Sequence, residues 1–147
     1  MKFSFVNKIL EMVPGKSILA EKKIGSSEEY FKDHFPGFPV VPGVLLTEMM
    51  AQTAGKCLDA ERRPRGKAML AQIRSAKFRK WVEPGQTALI YANITANQES
   101  YATANCRVEV NNQTVCKAEL FFSFVLMKDF SPDYRDDVLE SFLSLLL

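Results

Sequence analysis

His34 is the single histidine of the chain and stands in the stretch "DHFPGFPVVPG". Fourteen positions later one carboxylate, Glu48, interrupts the apolar run "VLLTEMMAQTAG". An imidazole changes its charge near neutral pH, so it can take or give a proton there. A carboxyl group facing a dry interior is costly when ionised and unpaired; it finds a partner or keeps its proton. Each residue also has a plain structural reading: His34 as a loop side chain bonded to backbone, Glu48 as a core carboxylate bonded to Gln52. Gly43 shifts the balance. It opens a helix, where unpaired N–H groups and the dipole favour negative charge, and its bare Cα lets a ligand carbonyl approach the backbone. A base, an acid and an amide-lined anion site suit proton removal beside a carbonyl, with acid assistance to a departing hydroxyl. That reaction is elimination of water, run in reverse as hydration.

Such groups need elements that hold them. Pro42 suits a first helical turn, because its missing N–H would have no partner there, and the spacing predicts a helix from Pro42 to about Leu58. Val44, Leu45, Leu46, Met49, Met50, Ala51, Ala54, Cys57 and Leu58 cover nearly every direction around its axis, which marks a buried helix. Only Glu48, Gln52 and Gly55, at i, i+4 and i+7, form a narrow polar or bare stripe. Upstream, residues 3–12 and 17–25 read as two short strands joined by the turn "VPGK". Residues 28–41 read as an irregular connection stiffened by Pro36, Pro39 and Pro42.

Downstream, "ERRPRGK" reads as a solvated loop, residues 68–80 as a strand and "WVEPGQ" as a turn. Clean alternation follows. Ala88, Ile90, Ala92, Ile94 and Ala96 share one face, as do Ala102, Ala104, Cys106, Val108 and Val110, and then Cys116, Ala118, Leu120, Phe122, Phe124 and Leu126. Directly opposed residues share a face, so a three-residue loop, Asn111 to Gln113, sets Cys106 opposite Ala118 and predicts no Cys106–Cys116 disulfide. The order is strand, strand, buried helix, then four strands of mostly antiparallel meander. One curved sheet cannot cover such a helix on all sides, so a homodimer is the simplest completion. In "SPDYRDDVLESFLSLLL", Ser131 reads as a helix N-cap with Pro132 at the first helical position. Asp133, Asp136 and Asp137 suit the positive end of that helix's dipole. Val138, Leu139, Phe142, Leu143, Leu145 and Leu146 supply an apolar face for packing on the body or on a neighbouring subunit.

The 147 residues make about one domain. A formal net charge of +2 with 24% charged residues is too balanced to argue for nucleic acid. Basic residues cluster at Arg62, Arg63, Arg65 and Lys67, then at Lys77, Arg79 and Lys80, as a solvated face or a docking patch for an acidic partner. No stretch approaches the roughly 20 apolar residues of a membrane span. Asn7 and Lys8 break "MKFSFVNKILEM", which reads as neither signal peptide nor anchor. Cys57, Cys106 and Cys116 lack metal-ligand spacing, and one histidine leaves little basis for a zinc site. They read as free buried thiols in a reducing cytoplasm.

The stretch "HFPGFPVVPGVLLTEMMAQTAG" resembles the signature of the bacterial 3-hydroxyacyl-(acyl-carrier-protein) dehydratases of type II fatty acid synthesis. "FVNKILEMVPGKSI", "AKFRKWVEPGQ" and "VCKAEL" are similar to flanking segments of that family, and the likeness covers roughly residues 3 to 127. It implies a hot-dog fold of the α+β class, with a curved antiparallel sheet wrapped around one long buried helix. The domain would span residues 1–127, with residues 128–147 a C-terminal helical extension. It implies that His34 takes the C2 proton of a 3-hydroxyacyl thioester and that Glu48, from the other subunit of a homodimer, protonates or orients the leaving hydroxyl. The Gly43 N–H would hold the thioester oxygen, and Gln52 would hold Glu48. Lys77, Arg79 or Lys80 would help receive the acyl carrier protein. No metal or organic cofactor is implied, and dimers would assemble into a hexamer, a trimer of dimers. Asn7 stands where members usually carry aspartate, Trp81 where proline is more common, and the extension is additional. Two other functions share this fold: an acyl thioesterase, whose water needs a carboxylate near the thioester carbon, and a non-catalytic acyl-binding subunit. The His34–Phe35–Pro36–Gly37 element favours dehydration over the first, and the intact His34 and Glu48 argue against the second.

Overall fold

A computed structural model of the chain describes residues 4–62, 66–131 and 133–146. Arg63, Arg65 and Pro132, singled out above, lie outside the described residues. Six strands form one antiparallel sheet: β1 (Lys8–Val13), β2 (Ser17–Lys23), β3 (Gly66–Phe78), β4 (Thr87–Asn97), β5 (Tyr101–Val110) and β6 (Gln113–Leu126). Helix α1 (Gly43–Arg62) packs on the sheet, and the short helices α2 (Met127–Phe130) and α3 (Asp137–Ser144) follow β6. This is the hot-dog fold. The α1 residues Met49, Met50, Ala54, Cys57 and Leu58 are fully buried, and the even-numbered residues Ala88, Ile90, Ala104, Val108, Leu120 and Phe122 close over them from the sheet. The spans follow the sequence reading closely. However, β1 starts at Lys8, leaving residues 4–7 of the expected first strand outside it (residue 3 lies outside the described residues), and α1 runs four residues past Leu58.

The strand order is β1-β2-β4-β5-β6-β3, so the last four strands are not a simple meander. A strand has two hydrogen-bonding edges, and those of β4 are taken by β2 and β5. β3 therefore pairs with the free edge of β6 and becomes an edge strand itself. The β5–β6 hairpin also differs in detail. Its turn is two residues, Asn111 (φ 52°) and Asn112 (φ 63°), and Val110 pairs with Gln113. Paired left-handed residues match the strand twist in such turns, and asparagine is among the few side chains that tolerate them. A bulge between Val108 and Glu109 absorbs the residue that the expected three-residue loop would have held. Cys106 lies opposite Ala118 as expected, and all three cysteines are free and buried. At the bulge, the carbonyl of buried Val115 accepts from Arg79 N–H (2.8 Å) and Lys80 N–H (3.3 Å), tying the chain after β3 to the hairpin.

The C-terminal helix starts later than the sequence suggested. Ser131 is extended and ends α2, whereas Asp136 is the true N-cap of α3, its carboxylate accepting from Leu139 N–H at 3.1 Å. Asp136 wins because its other oxygen meets Lys56 Nζ of α1 at 2.8 Å, with both side chains about 10% exposed. Leu139 joins the main core, with Val138, Phe142 and Leu143 packed beside it, while Leu145 and Leu146 are exposed. Removing one member of a buried pair leaves an uncompensated charge, so Lys56→Ala is expected to cost about 3 kcal/mol in urea unfolding. The double change Lys56→Met with Asp136→Asn, which keeps a capping side chain, should recover most of that loss. At the hairpin, Asn112→Val is expected to cost about 1–2 kcal/mol through its left-handed backbone, with Asn112→Gly near neutral in the same assay.

Candidate active site

The polar stripe of α1 faces a cavity of about 630 Å³. Glu48, Ala51, Gln52, Gly55, Lys56 and Asp59 line one wall of it, at the i, i+3, i+4, i+7, i+8 and i+11 positions that share a helix face. Met69 and Leu70 of β3 and Phe122 of β6 line the opposite side. Glu48 is half-buried rather than sealed in the core, because the cavity keeps its carboxylate accessible. Gln52 is held at both ends. Its Oε1 accepts from the backbone N–H of Phe5 at 2.8 Å, so its Nε2 must be the atom that donates to Glu48 Oε1 at 3.2 Å. An extended N-terminal segment, with Phe5 and Val6 buried, thereby aims a helix carboxylate.

His34 and Gly43 lie at the N-terminal end of α1. The His34 N–H donates to Tyr30 O of a 3-10 turn (Glu29–Lys32) at 3.0 Å, and its carbonyl accepts from Val40 N–H at 3.1 Å. The Nδ1 atom faces the Val40 carbonyl at 3.3 Å. A carbonyl only accepts, so Nδ1 carries the proton and Nε2 keeps the lone pair that a base needs. The ring stacks on Phe35 at 4.1 Å, and Val41 N–H bonds Val82 O at 2.8 Å, pinning the loop to the segment after β3. A Cβ on Gly43 would lie 3.2 Å from the Phe78 ring, so that half-exposed ring would have to shift by a few tenths of an ångström to admit one. The Gly43 N–H has no acceptor among the described residues, as a first helical residue allows.

Glu48 and Gln52 thus meet in one cavity, and Gly43 begins the same helix, but His34 does not line that cavity within one protomer. Lys77, Arg79 and Lys80 are all exposed around Phe78, beside the Gly43 end of α1. Lys77 stands directly opposite Lys117, and Lys117 opposite Arg107, so three cations cross three neighbouring strands. Sequence reasoning missed the charges deeper in the cavity. Lys67 Nζ lies 3.0 Å from Asp59 Oδ2, and Ala68 N–H donates to Asp59 Oδ1 at 2.8 Å. Burial still pushes the Asp59 carboxyl above its usual range, against the pull of Lys67 and the Ala68 amide. The signal lay in the helix itself: Lys56 and Asp59 continue the spacing of Glu48, Gln52 and Gly55. Burial raises the thiols of Cys57 to about 11 and of Cys106 and Cys116 to about 12, which leaves them protonated and poor nucleophiles at neutral pH. Among the described residues, no three His, Cys, Asp or Glu side chains converge as metal ligands.

Residues 1–119 match the family described as the FabA-like domain. The chain is 39% identical over 119 residues to a Lactobacillus helveticus protein named 3-hydroxyacyl-(acyl-carrier-protein) dehydratase FabZ, a match covering 80% of each chain. Among solved structures, it is similar to a chain of the dehydratase heterocomplex ApeI:P from Xenorhabdus doucetiae, with a TM-score of 0.63 and 21% identity over 84% of this chain and 99% of that one. It is also similar to a hypothetical thioesterase from Streptococcus pneumoniae, solved with coenzyme A, with a TM-score of 0.64 and 14% identity over 81% and 85%. Likeness at that level of identity establishes the shared fold, which dehydratases and thioesterases have in common. The sequence match over four-fifths of the chain goes further: the protein belongs to the FabA-like family.

Proposed function

We propose that the protein is a 3-hydroxyacyl thioester dehydratase of fatty acid or related lipid synthesis. It would remove water to leave the trans-2-enoyl thioester. The observation that carries this reading is the 39% identity to a relative of that name across the segment holding His34, Gly43, Glu48 and Gln52. His34 Nε2 takes the C2 proton, and the C2–H electrons form the new double bond as the C3–O bond breaks. Glu48 protonates or orients the leaving hydroxyl, which departs as water. The Gly43 N–H stabilises the charge that gathers on the thioester oxygen, as an amide donor at a helix N-terminus does. Gln52 acts through Glu48 as a positioning residue. The thioesterase alternative rests on likeness of fold, at 14% identity to the Streptococcus pneumoniae structure.

The active unit in this reading is a homodimer with shared sites. β3 is an edge strand on which Met69, Leu70, Ile73 and Phe78 are 38–49% exposed, an arrangement that invites pairing with another chain. A second copy on this edge would form an isologous contact. It would also supply what each cavity lacks, the imidazole of the other subunit facing Glu48. Dimers would associate further as a trimer of dimers. The exposed Lys77, Arg79 and Lys80, with Lys117 beside them, form a cationic approach suited to an acidic carrier protein in the cytoplasm. Among the described residues, no helix is long and apolar enough to cross a membrane.

General acid or base assistance contributes about 10²–10⁴-fold, so His34→Ala and Glu48→Gln are each expected to lose at least about a hundredfold in hydration of a crotonyl thioester with Tm unchanged. Wild-type-like rates in both would end the assignment. Mixing the two inactive variants tests the shared site. After subunit exchange, half the dimers are mixed and each has one intact site, so about a quarter of wild-type activity should return. No recovery would place both groups in one subunit.

A further inference from the structure

The stripe that begins at Glu48 continues well past the proposed reaction centre. Gln52, Gly55, Lys56 and Asp59 carry it along the same cavity wall, and at 1.5 Å per residue that wall runs about 16 Å beyond Glu48. Gly55 lies in the interior of α1, where glycine is a poor helix former. It is buried, yet a Cβ built on it would meet nothing within 4 Å. Packing does not demand glycine here. What its missing side chain leaves is open space along the wall.

The far end of that space is bounded by residues outside the matched family segment, which ends at residue 119. Phe130 and Tyr134 meet edge to face with ring centroids 5.0 Å apart, and both line the cavity with Val138. The Lys67 ammonium lies 5.8 Å from the Tyr134 ring centroid. Burial and the nearby carboxylates of Asp136 and Asp59 push the Tyr134 phenol up to about 12, so the ring stays neutral. This segment is fastened just after its two aromatic wall residues. Asp136 is paired with Lys56 of the same stripe, and Leu139 is sunk in the core.

Resting on the dehydratase reading, we infer that Phe130 and Tyr134 are specificity-determining residues that form the end wall of the acyl pocket and set the longest chain accepted. The wall is a stop because of what surrounds it. An alkyl chain driven past the rings would have to part the nearly buried Lys56–Asp136 and Lys67–Asp59 pairs and leave their charges without partners. Shorter chains end against Ala51, Gly55 and Leu70, where the wall is apolar or bare.

The test is a chain-length series of trans-2-enoyl thioesters from crotonyl to hexadecenoyl, with kcat/KM measured for hydration. The double variant Phe130→Ala/Tyr134→Ala should move the length limit upward and raise the ratio of long-chain to short-chain kcat/KM by about tenfold or more, the scale on which apolar pockets discriminate. Gly55→Leu, which fills the open space from the opposite wall, should move the limit downward. Tyr134 is already 36% exposed and the Leu139 anchor is untouched, so folding should survive. Tyr134→Leu, which keeps the segment apolar, should give a smaller shift in the same direction. A ratio unchanged in the double variant, or all lengths falling together, would overturn the proposal. Calorimetric binding of unreactive alkyl thioethers of pantetheine, over the same lengths, separates the two readings. If no length is turned over, the dehydratase assignment fails, and the binding series alone decides whether these rings form the wall.

Discussion

A twenty-residue helix whose apolar side chains point almost all round its axis has to be covered, and the covering available in this chain is one six-stranded sheet. That constraint organises the molecule. Methionines, alanines and leucines of α1 meet the even-numbered faces of β4, β5 and β6, and dry burial of that area is the main source of stability. A single curved sheet leaves part of the helix outside its wrap. There α1 carries Glu48, Gln52, Gly55, Lys56 and Asp59 in place of aliphatic residues. The cavity is the consequence of a helix that is core on one side and wall on the other.

The groups suited to chemistry are held by backbone more than by one another. Gln52 is oriented by the amide of Phe5 and passes that orientation to Glu48. His34 has its tautomer set by the Val40 carbonyl, within a loop pinned to Val82 by Val41. Gly43 lies beside the Phe78 ring at the start of the helix. Side chains fixed in this way lose little freedom when a substrate arrives, which is what makes a preorganised site effective. The segment after β6 joins the same scheme. The carboxylate of Asp136 caps α3 with one oxygen and ties that helix to α1 with the other. The wall of the cavity and the stability of the C-terminal segment therefore rest on one side chain.

Much of this was legible in the residues. The all-round apolar spacing after Pro42 marked a buried helix, and alternation marked β4, β5 and β6, because both patterns follow from the local geometry of a chain that must hide its apolar side chains. The opposition of Cys106 and Ala118 could be read for the same reason: a one-residue slip would turn an entire strand inside out. The i, i+4 relation of Glu48 and Gln52 is local to the helix and was equally visible. Residue types and spacing also marked His34 and Gly43 as candidates.

Other features depended on contacts between distant parts of the chain. The pairing of β3 with β6 was decided by which edges β2 and β5 had already filled. The two-residue turn and its bulge were chosen between alternatives of equal parity on the buried face. Asp136 displaced Ser131 as the helix cap because Lys56, eighty residues away, could reach it. The bond from Phe5 to Gln52 and the closing of the cavity by Phe130 and Tyr134 arise in the same way. Local periodicity determined what each segment is, since that depends on which side chains must leave water. Only the tertiary structure decided which segments meet, since many partners satisfy the same burial and one packing satisfies them all together.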